Sequence, residues 1–312
     1  MQYEIKITGG SHQKKGRISL DRLAELADLL QEVAQDALQI RTHEFSKGRG
    51  RRPKIVQDGT LIELVGLREG STILELQAPP ILEQLPGVQL SLEHPEWEQL
   101  YREETSMSLV IKSFQAALSE EPDKYLDRPI LSDMKKLDRV LKHADERIIL
   151  SSGRAESTII LAREDFSKIK ILEEKTPEPS RTVVLGIVDL LEHSSSRVKI
   201  RLADGNIATG YLTEELREGN VQEFWGKEAT LTGTAYYRPS GKLAYLHIDQ
   251  VDAPGEHDAL FRRLPKSETV EQQISRQQRE GKKANPLPEL VGQWPGEETD
   301  EEFEAMLKLL RS

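Results

Sequence analysis

The chain has 312 residues, of which 37% are hydrophobic and 31% charged, and its formal net charge is -10. This length and apolar content accommodate two domains and a tail. The acidic balance argues against a surface coated with nucleic acid but is compatible with a local basic site. Cysteine is absent, which excludes disulfides, thiolate nucleophiles and cysteine-ligated metal.

Residues 1–176 are predicted to form an α+β domain. Segments in which apolar and polar residues alternate, as in strands, are interspersed here with segments of helical periodicity. The predicted elements are a strand at 3–7, a helix at 20–40, strands at 60–67 and 72–78, helices near 96–118 and 131–142, and strands at 147–150 and 157–161. The second and third strands are expected to form a hairpin, since Gly70 between them can supply the positive φ of a tight turn.

Residues 181–253 are predicted to form a small β-barrel after a proline-containing linker at 173–180, which neither helix nor sheet should cross. Strands are expected at 183–191, 198–202, 206–212, 229–237 and 243–251, with a helix at about 213–225. A helix between the third and fourth of five strands is typical of an OB-type barrel. An SH3-like barrel is the alternative if the helical stretch is mostly loop.

A basic run lies between the first predicted helix and the second strand, with five positive charges in the eight residues 47–54. Its charged residues are Lys47, Arg49, Arg51, Arg52 and Lys54. Such a run could contact several phosphates and give salt-dependent binding of nucleic acid. The alternative, which we favour, is a solvated loop or a patch for an acidic protein partner.

The barrel strands also carry aromatic residues on which bases could stack, as OB folds use them. These residues are Tyr211, Tyr236, Tyr237 and Tyr245. The segment 181–252 holds eight Lys and Arg against ten Asp and Glu, a balance of 8 − 10 = −2. This balance favours a structural or protein-binding barrel over an electrostatic groove.

No catalytic motif is present, and the seven histidines are scattered without the spacing of metal ligands. The sequence therefore predicts no enzyme, no cofactor and no metal site. An enzyme whose site is assembled from scattered acidic residues is a third possibility that no motif supports. Neither a signal peptide nor an apolar run of membrane-spanning length is evident, so a cytoplasmic protein is expected.

Residues 254–289 are predicted to be a flexible polar linker, because so few apolar side chains cannot offset the ordering entropy of the segment. The tail at 290–312 has the pattern of an amphipathic helix. Thr299 and Glu302 have capping-box spacing, and four apolar side chains share one face. These four are Phe303, Met306, Leu307 and Leu310. Burying them fully could release roughly 6–10 kcal/mol.

A helix this short is marginal alone and is expected to form only against another surface. Docking on its own domain usually comes with a short connection, whereas the connection here is long and polar. Trp294 and Pro295 add an anchor of large apolar area, of a kind enriched in binding hot spots. The pattern therefore favours binding to another protein, with the oligomeric state left open.

The segment from Leu290 to Phe303 resembles the tail of small bacterial antitoxins that are encoded beside PIN-domain toxins. The shared pattern is a hydrophobic pair, Gly-x-Trp-Pro-Gly, an acidic stretch and an amphipathic helix. The resemblance implies that the tail wraps a ribonuclease toxin and masks its metal-binding carboxylates. It also implies a basic side chain in that site, for which Arg311 or Lys308 is the candidate, since either can replace a cation's charge without supporting catalysis.

Overall fold

The computed structural model describes residues 1–10, 17–48, 51–68, 72–85, 95–120, 125–153, 158–192, 196–217, 221–255 and 258–263. These residues form an antiparallel sheet covered by helices and a closed five-stranded mixed β-barrel, which confirms the predicted α+β class and the presence of a barrel. Both parts belong to one compact unit. The predicted tail and most of the predicted linker lie outside the described residues.

The N-terminal sheet has five strands in the order β2-β3-β1-β4-β5, and all neighbours are antiparallel. The strands are β1 (Gln2–Thr8), β2 (Glu63–Arg68), β3 (Thr72–Gln77), β4 (Arg147–Ser152) and β5 (Thr158–Leu161). In β1, Tyr3, Ile5 and Ile7 are buried while Gln2 and Glu4 are exposed. Because side chains alternate across a strand, one face of the sheet forms the floor of the core.

Helices cover that face of the sheet. They are α1 (Leu20–His43), α2 (Lys54–Asp58), α3 (Pro95–Glu103), α4 (Ser106–Leu118), α5 (Arg128–Lys136) and α6 (Arg163–Lys175). Helix α1 begins where the Ser19 side chain accepts a hydrogen bond from the backbone N–H of Arg22 at 3.4 Å. Its buried stripe packs on the strands together with Phe114 of α4 and Ile130 of α5.

Two predicted helices have wrong bounds because capping residues divide the chain elsewhere. The region 96–118 is two helices, since Thr105 accepts a hydrogen bond from the N–H of Ser108, whose hydroxyl accepts one from the N–H of Thr105. The helix predicted at 131–142 begins at Arg128, after the Asp127 cap, and ends at Lys136. A single 3₁₀ turn follows over Leu137–Val140.

The linker predicted at 173–180 is also wrong in extent. Helix α6, which the sequence reading missed, continues to Lys175, and the first barrel strand begins at Ser180. Only residues 176–179 connect the two elements. The helix ends at its C-cap Thr176 because this residue precedes Pro177, which disfavours the helical conformation, and the Thr176 hydroxyl donates to the carbonyl of Leu172 at 2.8 Å.

The barrel strands are β6 (Ser180–Glu192), β7 (Arg197–Arg201), β8 (Ile207–Leu212), β9 (Glu228–Tyr237) and β10 (Leu243–Asp252). They close in the order β6-β7-β8-β10-β9, with β8 and β10 parallel and the other neighbours antiparallel. The helix expected over 213–225 is instead a short α7 (Glu214–Arg217) and a 3₁₀ turn (Val221–Phe224). Gly233 permits the tight curvature, since a Cβ there would lie 2.2 Å from the carbonyl oxygen of His247.

Candidate functional site

The C-terminal end of α1 lies against the barrel and receives hydrogen bonds from it. Glu44 ends the helix in the left-handed conformation, with φ of 65°. The Tyr211 hydroxyl donates to the carbonyl of His43 at 2.5 Å, and the Arg238 guanidinium donates to the carbonyl of Glu44 at 2.9 Å. The last carbonyls of a helix lack intrahelical partners and carry partial negative charge, so barrel donors complete this helix end.

Aromatic side chains pack where the end of α1 contacts the barrel. The Phe45 ring lies 5.0 Å from the ring of Tyr211 and 5.2 Å from that of Tyr245, measured between centroids. Tyr236 stacks on Tyr245 at 4.5 Å with an interplanar angle of 6°. Burial raises the pKa of Tyr211 and of Tyr245, so both hydroxyls stay protonated. These tyrosines therefore hold two parts of the molecule together.

Tyr237 points to the other side of its strand and is buried, sharing a hydrogen bond of 2.9 Å with the hydroxyl of Ser180. Of the four tyrosines expected on the barrel strands, Tyr211, Tyr237 and Tyr245 are thus buried and Tyr236 is half-buried. None of them is an open platform for base stacking.

Beside the aromatic contact lies a cleft of about 810 Å³ between the end of α1 and the barrel, which we call the junction cleft. Its charged lining residues are Arg41, Glu44, Glu120, Lys199, Arg238 and Lys242. Four are cationic and two anionic, so the cleft concentrates positive charge on a chain that is acidic overall.

The four cations of the junction cleft come from three local structures. Lys199 lies on β7, while Arg238 and Lys242 flank the tight turn in which Gly241 has φ of 76°. Arg41 lies in the last turn of α1, with its guanidinium 4.8 Å from the centroid of the Tyr125 ring. Within the described ranges, Lys199 and Lys242 form no ion pair, so both ammonium groups are available to an anion.

Within the described residues, two cations of the basic run at 47–54 contact acidic side chains, unlike the two lysines of the junction cleft. Lys47 forms an ion pair with the buried carboxylate of Asp133, and the Arg52 guanidinium donates a hydrogen bond to the buried carboxyl group of Asp36 at 2.5 Å. Arg52 also donates to the backbone carbonyl of Ser46 at 3.3 Å. These two cations of the run are therefore engaged by acidic side chains of the helices beneath them, although Lys47 itself is exposed.

The remaining members of the run differ from each other. Lys54 lies in the first turn of α2, with its ammonium 3.9 Å from the carboxylate of Asp58. Arg51 is exposed and has no ion-pair partner among the residues that the structure describes. Arg49 lies outside the described residues. The run is therefore not the loop of five available charges that its sequence indicates.

Burial sets the protonation of the carboxyl groups beneath the run. It raises the pKa of Asp36 to about 8 despite the nearby Arg52, so this carboxyl keeps its proton at neutral pH. Burial also opposes ionisation of Asp133, but hydrogen bonds from Lys136, Lys47 and Asp36 outweigh it and lower the pKa of Asp133. One ionised carboxylate is thus held among several cations.

A second cleft of about 860 Å³ brings the basic run close to the barrel tyrosines, and we call it the loop cleft. Its charged lining residues are Glu32, Lys47, Arg51, Arg52, Glu214 and Glu215. Three cations face three carboxylates, and two of the cations already pair with buried aspartates. The junction cleft is therefore the more positive of the two.

The sequence analysis missed the junction cleft because its cations are far apart in the chain. A signal was nevertheless present in the segment 197–201, in which Arg197, Lys199 and Arg201 alternate with apolar residues and so share one face of the strand. The predicted partner-binding residues of the tail all lie outside the described residues. They are Trp294, Pro295, Phe303, Met306, Leu307, Leu310 and Arg311.

Two general searches concern only the described residues. No group of three or more potential metal-ligating side chains occurs among them. Within the same ranges, none of the helices has the length and apolar character needed to cross a membrane. No protein-family model, curated protein or solved structure matches this chain.

Proposed function

We propose that this protein binds a single strand of nucleic acid in the junction cleft. The observation that carries the proposal is the convergence of Arg41, Lys199, Arg238 and Lys242 on one concave surface. Single-strand binding proteins combine a basic groove that follows the phosphate backbone with contacts to the bases. A strand entering this cleft would place its phosphates near Lys199 and Lys242.

The position of the cleft on the barrel supports this proposal. We infer that the barrel is of the OB type, since the strand order is first-second-third-fifth-fourth and helical turns separate the third and fourth strands. OB folds bind oligonucleotides on the face of their second and third strands, beside the loop that joins the fourth and fifth. Here those elements carry Lys199, Thr209 and the turn from Arg238 to Lys242.

The fluorescence anisotropy of labelled single-stranded DNA and RNA of one sequence tests the proposal. In the double variant Lys199→Gln/Lys242→Gln we expect weaker binding, because two phosphate contacts are lost. The slope of log affinity against log salt should fall by about 1.4, at roughly 0.7 per phosphate. Both substitutions lie at the protein surface, so stability should change little.

The matched control is Lys168→Gln/Lys170→Gln on α6, whose side chains are 66% and 64% exposed. It removes the same charge from a helix that contributes no residue to the lining of the cleft, so the salt slope should be unchanged. Absence of binding by the unmodified protein at low salt would overturn the proposal. An equal loss of affinity in both double variants would also contradict the proposal, since binding would then depend on net charge alone.

The tail supports a second proposal, that the protein is an antitoxin-like, non-enzymatic regulator of the bacterial cytoplasm that neutralises a PIN-type ribonuclease. The observation is the segment from Gly292 to Gly296, followed by an acidic stretch and an apolar helical face. The anchors would be Trp294, Pro295, Phe303, Met306, Leu307 and Leu310. Arg311 would enter the carboxylate site of the nuclease in place of its metal ion.

Co-expression with the nuclease of the adjacent gene tests this second proposal through rescue of growth. Deleting residues 290–312 should abolish the rescue, and Phe303→Glu/Leu307→Glu should reduce it strongly because the apolar face is interrupted. Glu304→Gln, between the two substituted positions, is the matched control. Growth rescue that survives the deletion would refute the proposal, whatever the nucleic-acid experiment shows.

A further inference from the structure

Strand β2 lies at an edge of the N-terminal sheet and exposes large apolar side chains. Within the described ranges it pairs with β3 alone, so its other side offers unpaired backbone groups. The side chains of Leu64, Val65 and Leu67 are 45%, 53% and 48% exposed. An edge strand that exposes apolar side chains and unpaired backbone groups can pair with another strand.

A bulge gives β2 a symmetric pattern. Its residues oppose β3 at five positions, because Val65 is the extra residue between Leu64 and Gly66. The five positions are Glu63, Leu64, Gly66, Leu67 and Arg68. Consider a second, identical β2 that pairs antiparallel with this strand, with the two copies of Gly66 opposite each other. Glu63 of each strand then lies opposite Arg68 of the other, and Leu64 of each lies opposite Leu67 of the other.

The faces of the strand agree with this pairing. Leu64 lies opposite Leu76 and Leu67 opposite Leu74, and both β3 residues are buried on the helix-covered face. Glu63 and Arg68 lie at the other face, where Arg68 also contacts Glu4 and Glu75. A second β2 would therefore continue the apolar face of the sheet with leucine and its outer face with opposite charges.

We propose that β2 is the interface of a homodimer in which two copies of this chain join their sheets edge to edge about a two-fold axis at Gly66. The occupant of the edge is a second copy because the strand is complementary to itself in charge and in apolar positions. An isologous interface requires this self-complementarity. The proposal concerns assembly and is independent of both proposed binding functions.

The opposite edge of the sheet supplies the matched control. Strand β5 has four residues, and its Ile160 is 52% exposed, about as much as Leu67. Light scattering of the full chain should give the mass of two chains. Leu67→Lys should give the mass of one chain, whereas Ile160→Lys should remain a dimer. A single-chain mass for the unmodified protein, or loss of the dimer only in Ile160→Lys, would overturn the proposal.

Disulfide trapping tests the register even if the lysine variant fails to fold. The chain has no cysteine, so Leu64→Cys and Leu67→Cys place single thiols in a clean background. Directly opposed residues have Cβ atoms about 4.5–5.5 Å apart, and diagonal neighbours lie about 7–8 Å apart. Oxidation should therefore link a mixture of the two variants much more efficiently than either variant alone. Equal linking in all three samples would contradict the proposed pairing.

Discussion

The run at 47–54 and the junction cleft both contain several cations, yet the structure uses them in opposite ways. In the run, Lys47 and Arg52 contact the buried carboxyl groups of Asp133 and Asp36. In the cleft, Lys199 and Lys242 come from separate elements and form no ion pair within the described residues. Density of charge along a sequence is thus a poor guide to which cations have acidic partners in the fold.

The largest difference in stability between the two regions is expected when a cation of the run is removed. Arg52→Ala should lower the free energy of unfolding by about 2–4 kcal/mol, because hydrogen bonds to buried acceptors are lost. The adjacent Arg51→Ala should change it by less than about 0.5 kcal/mol, since Arg51 is exposed. Urea denaturation measures both values. Similar losses of stability in the two variants would show that Arg52 contributes no more to the fold than the exposed Arg51 does.

The aromatic contact of Phe45, which lines the loop cleft, is expected to contribute somewhat less to stability. Phe45→Ala should destabilise the protein by about 2 kcal/mol, below the usual cost in a full core because Phe45 is only half-buried. Leu260→Ala is the control, with a side chain that is 84% exposed. Thermal unfolding compares the two, and equal melting temperatures would mean that the ring contacts add no stability.

The buried carboxyl group of Asp36, which contacts Arg52 of the run, predicts that the stability of the protein depends on pH. The pKa of Asp36 is raised by burial from its ordinary value of 3.8 to about 8 in the folded protein, so between these pH values the folded state retains a proton that the unfolded state loses. Its contribution is therefore complete below pH 3.8 and is lost as the pH rises towards 8, at about 1.4 kcal/mol per unit. Asp36→Asn should remove this slope. Denaturation at several pH values checks it, and parallel curves for both proteins would contradict the assignment.

The smallest effect is expected from one cation of the junction cleft. Lys199→Gln should leave stability within about 0.5 kcal/mol and reduce the salt slope of oligonucleotide binding by about 0.7. Lys54→Gln, in the run, removes the same charge from an ammonium that is 89% exposed and should leave the slope unchanged. A larger change in slope for Lys54→Gln would return the basic run to consideration as the binding surface.

Periodicity was sufficient to predict most strands and α1, because alternation and helical spacing are local properties of the chain. It was insufficient where a cap decides the boundary, as at Thr105, since the hydroxyl and the Ser108 N–H that donates to it form a pattern of only a few residues. Helix α6 was missed because its buried residues, Phe166 and Ile169, are few among charged neighbours.

The candidate site was less accessible to sequence reasoning than the fold. Arg41 and Lys199 are 158 positions apart by their numbering, so only tertiary structure brings them together. In the run, the acidic partners Asp36 and Asp133 come from two different helices, and nothing in residues 47–54 indicates them. Charge compensation of this kind depends on burial, which composition does not specify.

The hydrogen bond between Tyr211 and the carbonyl of His43 joins residues that are 168 positions apart. During synthesis at about 5–20 residues per second, roughly 8–34 s separate the appearance of the helix end from that of its partner. The carbonyl of His43 therefore lacks its barrel donor until β8 has emerged. Ribosome-bound intermediates should be most sensitive to proteases near Glu44 during that interval.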